Sequence, residues 1–253
     1  MGGCERRKVE YDWDALEKVL RIRGLTVDDV EDVYETTGVQ KMCLNGPTSN
    51  SYVVHQLYTA HVDIESIVRA LDTVLLRQTI LRTTMFDNNN RQVVFRYSPK
   101  LRDEIISIHP SQGAPSIQSI SGSAGHCVFS PPDNLVHFDV HKTTPVTVLY
   151  HVQHALLDAW SRDCLFREIE SVIKELPLPD PVPFRNFIDY AVMEMNRAVS
   201  ITWFTDRFSD LDAIPFPVCD EPSTFITRSV LGQDIECEGS SRFNEKSLFG
   251  EIC

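Results

Sequence analysis

Apolar residues recur along this chain at two spacings, and the spacings predict most of its elements. Trp13, Leu16, Val19 and Leu20 share one helical face, and Gly24 stands where a helix ends on a left-handed glycine. The clearest helix is predicted from about Asp63 to Gln78. There Ile64, Ile67, Val68, Leu71, Val74 and Leu75 form one stripe, and Asp63 can cap its first turn. The polar run Asn88-Asn89-Asn90 reads as a hairpin turn before a short strand, Val93-Val94-Phe95. Residues 111–125, rich in Ser, Gly and Gln, read as a surface loop.

Two further strands are expected at Leu135–Val140 and Val146–Val152, the second with Val146, Val148, Tyr150 and Val152 on one face. Helical spacing returns from Trp160 to about Lys174 through Leu165, Ile169, Val172 and Ile173. Pro177, Pro179, Pro181 and Pro183 then break the pattern, because proline fixes φ and lacks an N–H. That segment is the best boundary in the chain. Another helix is predicted from Phe184 to about Phe208, and after Pro215 the chain reads as irregular and polar. Helices and strands are mixed throughout, so the expected class is α/β or α+β.

Length and charge narrow the function. The 253 residues suffice for one large domain or two small ones. The net charge of −12, with no Lys/Arg cluster, sets aside nucleic acid and anionic membrane surfaces as partners. No apolar run is long enough to cross a bilayer, and Met1–Lys8 has no apolar core of a signal peptide. Met1-Gly2 invites a myristoylation reading, but Arg6 stands where that motif needs Ser or Thr. The seven cysteines are odd in number, scattered and without C-x-x-C spacing. Reduced thiols in a cytoplasmic protein are the simplest account.

Candidate chemistry is densest at His151-Val152-Gln153-His154-Ala155-Leu156-Leu157-Asp158-Ala159-Trp160-Ser161, between a predicted strand and a predicted helix. Such a turn exposes side chains at a sheet edge. His154 can serve as a general base, because an ordinary imidazole titrates near neutral pH. Asp158, four residues on, belongs either to that site or to the cap of the following helix, with Ser161 in the same first turn. His151, His154 and Asp158 are also the right residue types for zinc. Strand alternation, however, sends His151 and His154 to opposite faces, so no metal site is expected.

The stretch Gln153–Ser161 resembles the H-H-x-x-x-D-G motif of condensation domains in nonribosomal peptide synthetases, particularly fungal ones. Val30-Glu31-Asp32-Val33-Tyr34-Glu35-Thr36-Thr37-Gly38-Val39-Gln40 is similar to their opening segment, an E-D-V-Y-P stretch leading to a glutamine. Arg77-Gln78-Thr79-Ile80-Leu81-Arg82-Thr83-Thr84-Met85-Phe86 is similar to their R-H-x-x-L-R-T-x-F segment. The proline-rich segment, Phe184–Ile188 and Trp203-Phe204 resemble the linker helix to a second lobe. The resemblance covers about residues 27–218.

It implies a chloramphenicol acetyltransferase-like fold, two α/β lobes in a V with a tunnel between them, and a mixed sheet flanked by helices in each. It implies amide formation in secondary-metabolite biosynthesis. An amine attacks a thioester, both carried on the phosphopantetheine arms of carrier proteins, with no cofactor bound to the domain itself. By the same resemblance His154 is catalytic. Asp158 is counted with it as catalytic, mainly as a structural partner that pairs with Arg82, while Arg82, Gln153, Ala159 and Ser161 support the site. Gln153 stands in place of the first motif histidine and Ala159 in place of the glycine, which elsewhere permits a tight backbone or close approach of substrate. His154, Asp158 and Ser161 also resemble the S-H-x-x-x-D-x-x-S/T variant of fungal terminal condensation domains, which cyclise their product.

The expected organisation is an N-terminal extension at 1–26 and an N-terminal lobe at 27–176. A proline-rich linker and linker helix follow at 177–208, then a truncated second lobe or irregular tail at 209–253. Partners expected by resemblance are carrier proteins, adjoining synthetase modules and a missing second lobe. Two other readings remain open: a non-catalytic docking remnant, and a stand-alone acyltransferase using a CoA thioester.

Overall fold

The computed structural model describes residues 12–45, 53–110, 129, 131–194, 197–210 and 243–248, the last as backbone. The predicted loop at 111–125 lies outside the described residues. Helix α1 (Trp13–Arg23) begins on Asp12, whose carboxylate accepts from the amides of Asp14 and Ala15. It ends on Gly24 at φ 61°, a left-handed turn that costs glycine nothing. Its Leu16, Val19 and Leu20 are buried in the main core, so this helix is built into the lobe.

A three-stranded sheet follows, ordered β1 (Val30–Glu35), β4 (Arg91–Phe95), β3 (Thr83–Phe86). Asp87, Asn88 and Asn89, all at positive φ, turn β3 into β4, as the polar run predicted. Between β1 and β3 the chain forms α2 (Gly38–Asn45), β2 (Val53–Ala60) and α3 (Ile64–Arg77). Asp63 caps α3 through the amide of Ser66 at 2.7 Å. The stripe on α3 buries Ile67, Ala70, Leu71, Val74 and Leu75 to 2% exposure or less. Each large aliphatic so buried contributes about 1.5–3 kcal/mol.

The second sheet has five strands in the order β5 (Ile106–His109), β6 (Val136–His141), β7 (Val146–Gln153), β2, β8 (Phe243–Leu248). Helix α4 (Pro99–Ile105) leads into β5. Only the β5–β6 pair is parallel. The expected face of Val146, Val148, Tyr150 and Val152 joins Phe138 and Tyr58 in the core, where Phe166 of α5 (Ala159–Ile173) stacks on Tyr58 with ring centroids 3.9 Å apart. Strand β7 is buried on both faces over its whole length. Strand β8 corrects the reading of the tail as irregular. Its six residues add an edge to β2, from His55↔Leu248 to Ala60↔Phe243.

The helix expected over Phe184–Phe208 is described in two stretches, α6 (Phe184–Glu194) and α7 (Arg197–Phe208), and residues 195 and 196 lie outside the described residues. Helix α6 docks on β1. Ile188 and Phe184 pack with Tyr34 and Val94, and Arg185 reaches Asp32 at 3.0 Å. Helix α7 leaves Val199, Ile201, Trp203 and Phe204 exposed. No helix among the described residues is long and apolar enough to cross a membrane.

The other face of the five-stranded sheet carries a histidine cluster. Cross-strand register places His55, His151 and His137 side by side on β2, β7 and β6. Asp139 receives His109 at 2.6 Å, His137 at 3.3 Å and His151 at 3.3 Å. A carboxylate only accepts, so His151 donates from Nε2. In the neutral ring its Nδ1 then accepts from His55 Nδ1, 2.6 Å away. Burial of Asp139 would raise its pKa, but the hydrogen bonds from His137, His151 and His109 outweigh burial and hold it well below the usual carboxylate range. Burial, reinforced by the neighbouring His151, lowers His55 from the ordinary 6.5 to about 4.

This cluster makes the sheet acid-labile. An unfolded chain takes up the His55 proton below about pH 6.5, whereas the folded chain resists it down to about 4. Stability is therefore lost as pH falls through that window, by up to roughly 3 kcal/mol. Loss of the Asp139 interactions carries the same sign at still lower pH. Melting followed by circular dichroism across pH 4–8 should show the decline, and His55→Leu should flatten it. An unchanged slope in that variant would remove His55 from the account.

Candidate functional site

Strand β7 ends at Gln153, and the chain turns at once: the Leu156 amide donates to the Gln153 carbonyl at 2.9 Å. His154 sits exposed on this turn, while Ala155, Leu156 and Leu157 anchor it in the core. Its Nδ1 lies 3.0 Å from the Leu157 carbonyl oxygen. A carbonyl can only accept, so Nδ1 carries the proton and the neutral ring keeps Nε2 as its basic nitrogen. Three residues of chain thus set both the tautomer and the orientation of the imidazole.

Asp158 then starts α5. Its Oδ1 accepts from the Ser161 amide at 2.8 Å and from the Ser161 hydroxyl at 2.6 Å, while the Asp158 amide donates to Ser161 Oγ at 2.9 Å. The Ser161 hydroxyl and amide bonds lower the pKa of Asp158, as does nearby His154 more weakly. Ala159 is the first residue of that helix and exposed. A helical backbone there needs no glycine, so the methyl is tolerated. Gln153, in the position of the first motif histidine, is fully buried, and its Oε1 accepts from the Ala155 amide at 3.4 Å.

The expected Arg82–Asp158 pair does not form. Arg82 is 4% exposed. It donates from Nε to the Leu75 carbonyl at 2.9 Å and from its terminal nitrogens to the carbonyls of Leu76 and Phe95 and to Glu31, the last at 2.6 Å. It therefore ties the end of α3 to β4 and to the residue beside β1's first. Asp158 is held by its own helix and stays at the surface. The reason is geometric: three backbone carbonyls and a carboxylate already use the guanidinium's planar fork.

His154 and Asp158 line a cleft of about 820 Å³. All three motif segments contribute to it, through Glu35–Gln40, Gln78–Ile80, and His154–Asp158 with Trp160 and Ser161, and α6 adds Phe184, Phe187, Ile188 and Ala191. Gln40 fixes the first wall. Its Oε1 accepts from the Thr37 amide at 3.0 Å and from Gln92 Nε2 at 3.2 Å, and that same Gln92 nitrogen donates to the Glu35 carbonyl at 2.8 Å. Sequence reasoning missed Gln92, because a glutamine on a strand gives no sign of its partner. Alternation could have found the histidine cluster, since His137, Asp139 and His141 stand two apart. No metal site is formed among the described residues by any His, Cys, Asp or Glu group.

No family model matches the chain. It is similar to Nonribosomal peptide synthetase 6 of Alternaria brassicicola, 25% identical over 218 residues, which are 83% of this chain and 14% of that protein. D-lysergyl-peptide-synthetase subunit 1 of Epichloe festucae var. lolii is 25% identical over 239 residues, 87% of this chain and 6% of that protein. The solved starter condensation domain of the rhizomide synthetase RzmA superposes with a TM-score of 0.57 at 14% identity, over 72% of this chain and 49% of that one. A structure described as CT gives a TM-score of 0.64 at 16% identity, over 84% of this chain and 51% of that one.

The fold is the chloramphenicol acetyltransferase-like fold of condensation domains. In sequence the chain resembles the N-terminal lobe of such a domain from fungal nonribosomal peptide synthetases, and it spans about half the length of the solved relatives and a small part of the synthetases.

Since Arg82 and Asp158 share no bond, their losses should be independent. Arg82→Gln orphans buried carbonyls and should cost about 2–4 kcal/mol, and Asp158→Ala, a lost cap, about 1 kcal/mol. Urea unfolding of the double variant should give their sum to within about 0.5 kcal/mol. A coupling above about 1 kcal/mol would restore the pair.

Proposed function

We propose that this chain supplies the base-bearing wall of a condensation site, at which a carrier-bound thioester and an amine become an amide and a free thiol. The observation that carries this is His154. Its Nδ1–H is committed to the Leu157 carbonyl, and the residue stands in the cleft where the three motif segments converge. The amine nitrogen attacks the thioester carbon, and the tetrahedral intermediate collapses by breaking the C–S bond. Nε2 takes the proton that the nitrogen loses and returns it to the leaving sulfur, so the imidazole ends unchanged. Asp158 and Ser161 hold the start of α5, and with it the turn that bears His154. The two reactants arrive on phosphopantetheine arms, and holding both in one cleft supplies much of the rate.

In this reading residues 27–176, with α1 packed into their core, form the lobe and 177–208 the linker to the other half of the domain. Carrier proteins or adjoining modules dock beside it in the cytoplasm. Free thiols at Cys43 and Cys164 accord with that compartment.

The test supplies the chain with an acyl-pantetheine thioester donor and an aminoacyl-pantetheine acceptor, with and without a condensation-domain second half, and follows amide by mass spectrometry. His154→Ala should lower the rate about 10²–10⁴-fold, the ordinary worth of a positioned base. Amide formation indifferent to His154 would leave a docking role as the better account.

A further inference from the structure

Residues 177–183 run over the surface from α5 to α6 with little to hold them there. Pro177, Pro179, Pro181 and Pro183 have no N–H to donate, and every residue of the segment except Leu178 is exposed. A chain of alternating prolines is stiff, and what it offers a neighbour is its carbonyls. Among the described residues, one side chain of the lobe takes up that offer. Arg77, the last residue of α3, donates from Nη2 to the Pro179 carbonyl at 2.5 Å. Its Nε donates to Glu168 Oε1 on α5, also at 2.5 Å, and Glu168 Oε2 accepts from Gln78 Nε2 at 2.5 Å. Both oxygens of Glu168 are thus committed. Its side chain is 13% exposed and that of Arg77 23%, so water screens this pair less than one at the open surface.

The two ends of this chain of contacts reach the rim of the cleft. Gln78 lines it, as do Val182, three residues beyond Pro179, and Phe184 at the start of α6. Helix α6 has its own dock on β1, through Arg185 and Asp32 and through Ile188 against Tyr34. The linker is therefore held at two points, Pro179 and α6. Between them Val182 makes no hydrogen bond among the described residues. Arg77 opens the second motif segment, and the proposed chemistry of the cleft makes no use of it.

We propose that Arg77 and Glu168 form a releasable pin for the linker. With the pair made, residues 177–183 lie on the lobe and Val182 stands at the cleft rim. With it broken, the segment leaves the lobe and that edge of the cleft opens, while the turn bearing His154 stays where β7 puts it. The device lies outside the cleft and does not depend on the condensation reading. It needs a guanidinium, whose planar fork reaches a carboxylate on one helix and a carbonyl on the linker at once. Lysine at position 77 keeps a charge opposite Glu168 but gathers its donors on one atom, which cannot take the places of Nε and Nη2 together.

The test reads the linker in the whole chain, without substrate. Leu178, Asp180 and Val182 carry the amides of the segment, and nuclear magnetic resonance relaxation gives their order parameters. In the unaltered chain these should lie near about 0.8, and in Arg77→Lys and in Glu168→Gln they should fall below about 0.6. The amides of Ala155, Leu156 and Leu157 should keep their shifts and order parameters in both variants. Arg77→Lys, which retains the charge pair, should hold its melting temperature to within about 4 °C, so that release of the linker is read apart from loss of the fold. Order parameters that stay near 0.8 in Arg77→Lys, that are already below 0.6 in the unaltered chain, or that fall equally at Ala155–Leu157 would overturn the proposal.

Discussion

Strand β7 is the constraint on which the rest hangs. It lies between β6 and β2 and is buried on both faces along all eight of its residues. A slip of one residue would exchange Tyr150 and Val152 for His151 and Gln153 in the helix-facing core, so its register cannot drift. The end of the strand is thereby fixed in space, and with it the turn carrying His154. The turn has little freedom of its own. Leu156 and Leu157 are buried, and the Leu157 carbonyl holds the imidazole. The position of that ring follows from packing in a sheet none of whose described strand residues lines the cleft.

Two polar ties stiffen the opposite wall, and neither touches the base. The Arg82 guanidinium joins the end of α3 to β4 and Glu31. The Gln40–Gln92 amide pair holds the segment between β1 and α2 against β4. Both are buried, and both gather backbone groups that would otherwise be unsatisfied. The residues that make the three motifs recognisable therefore have two different duties. His154 and the edges of Glu35–Gln40 and Gln78–Ile80 face the cleft, whereas Arg82 and Gln40 keep those edges where they are.

Local pattern made much of the fold legible and long-range choice made the rest obscure. Helix α3 could be read because its stripe and its Asp63 cap are both local signals, and the β3–β4 turn because three consecutive polar residues accept positive φ. Strand β8 could not. Its Asn244, Glu245, Lys246 and Ser247 have no strand pattern, and the segment is a strand because the edge of β2 offers it hydrogen bonds. The candidate site was picked out by the order of its motifs, since composition and periodicity alone left His154 as one histidine among eight. The partner of Arg82 was not, because a buried guanidinium goes to whichever acceptors the folded backbone presents, and spacing along the chain does not contain that information.

The histidine cluster and the cleft also divide the sheet's chemistry in a way that bears on the base. His151 and His154 lie three residues apart, yet one is 4% exposed among other imidazoles and the other stands on an exposed turn. A buried imidazole bonded to Asp139 on one side and to His55 on the other is spent on structure. The histidine beyond the strand end has one nitrogen committed and one basic. The same residue type, on either side of the point where β7 stops, is therefore a brace in one place and, in the proposed function, a proton acceptor in the other. What separates them is the burial that ends with Gln153.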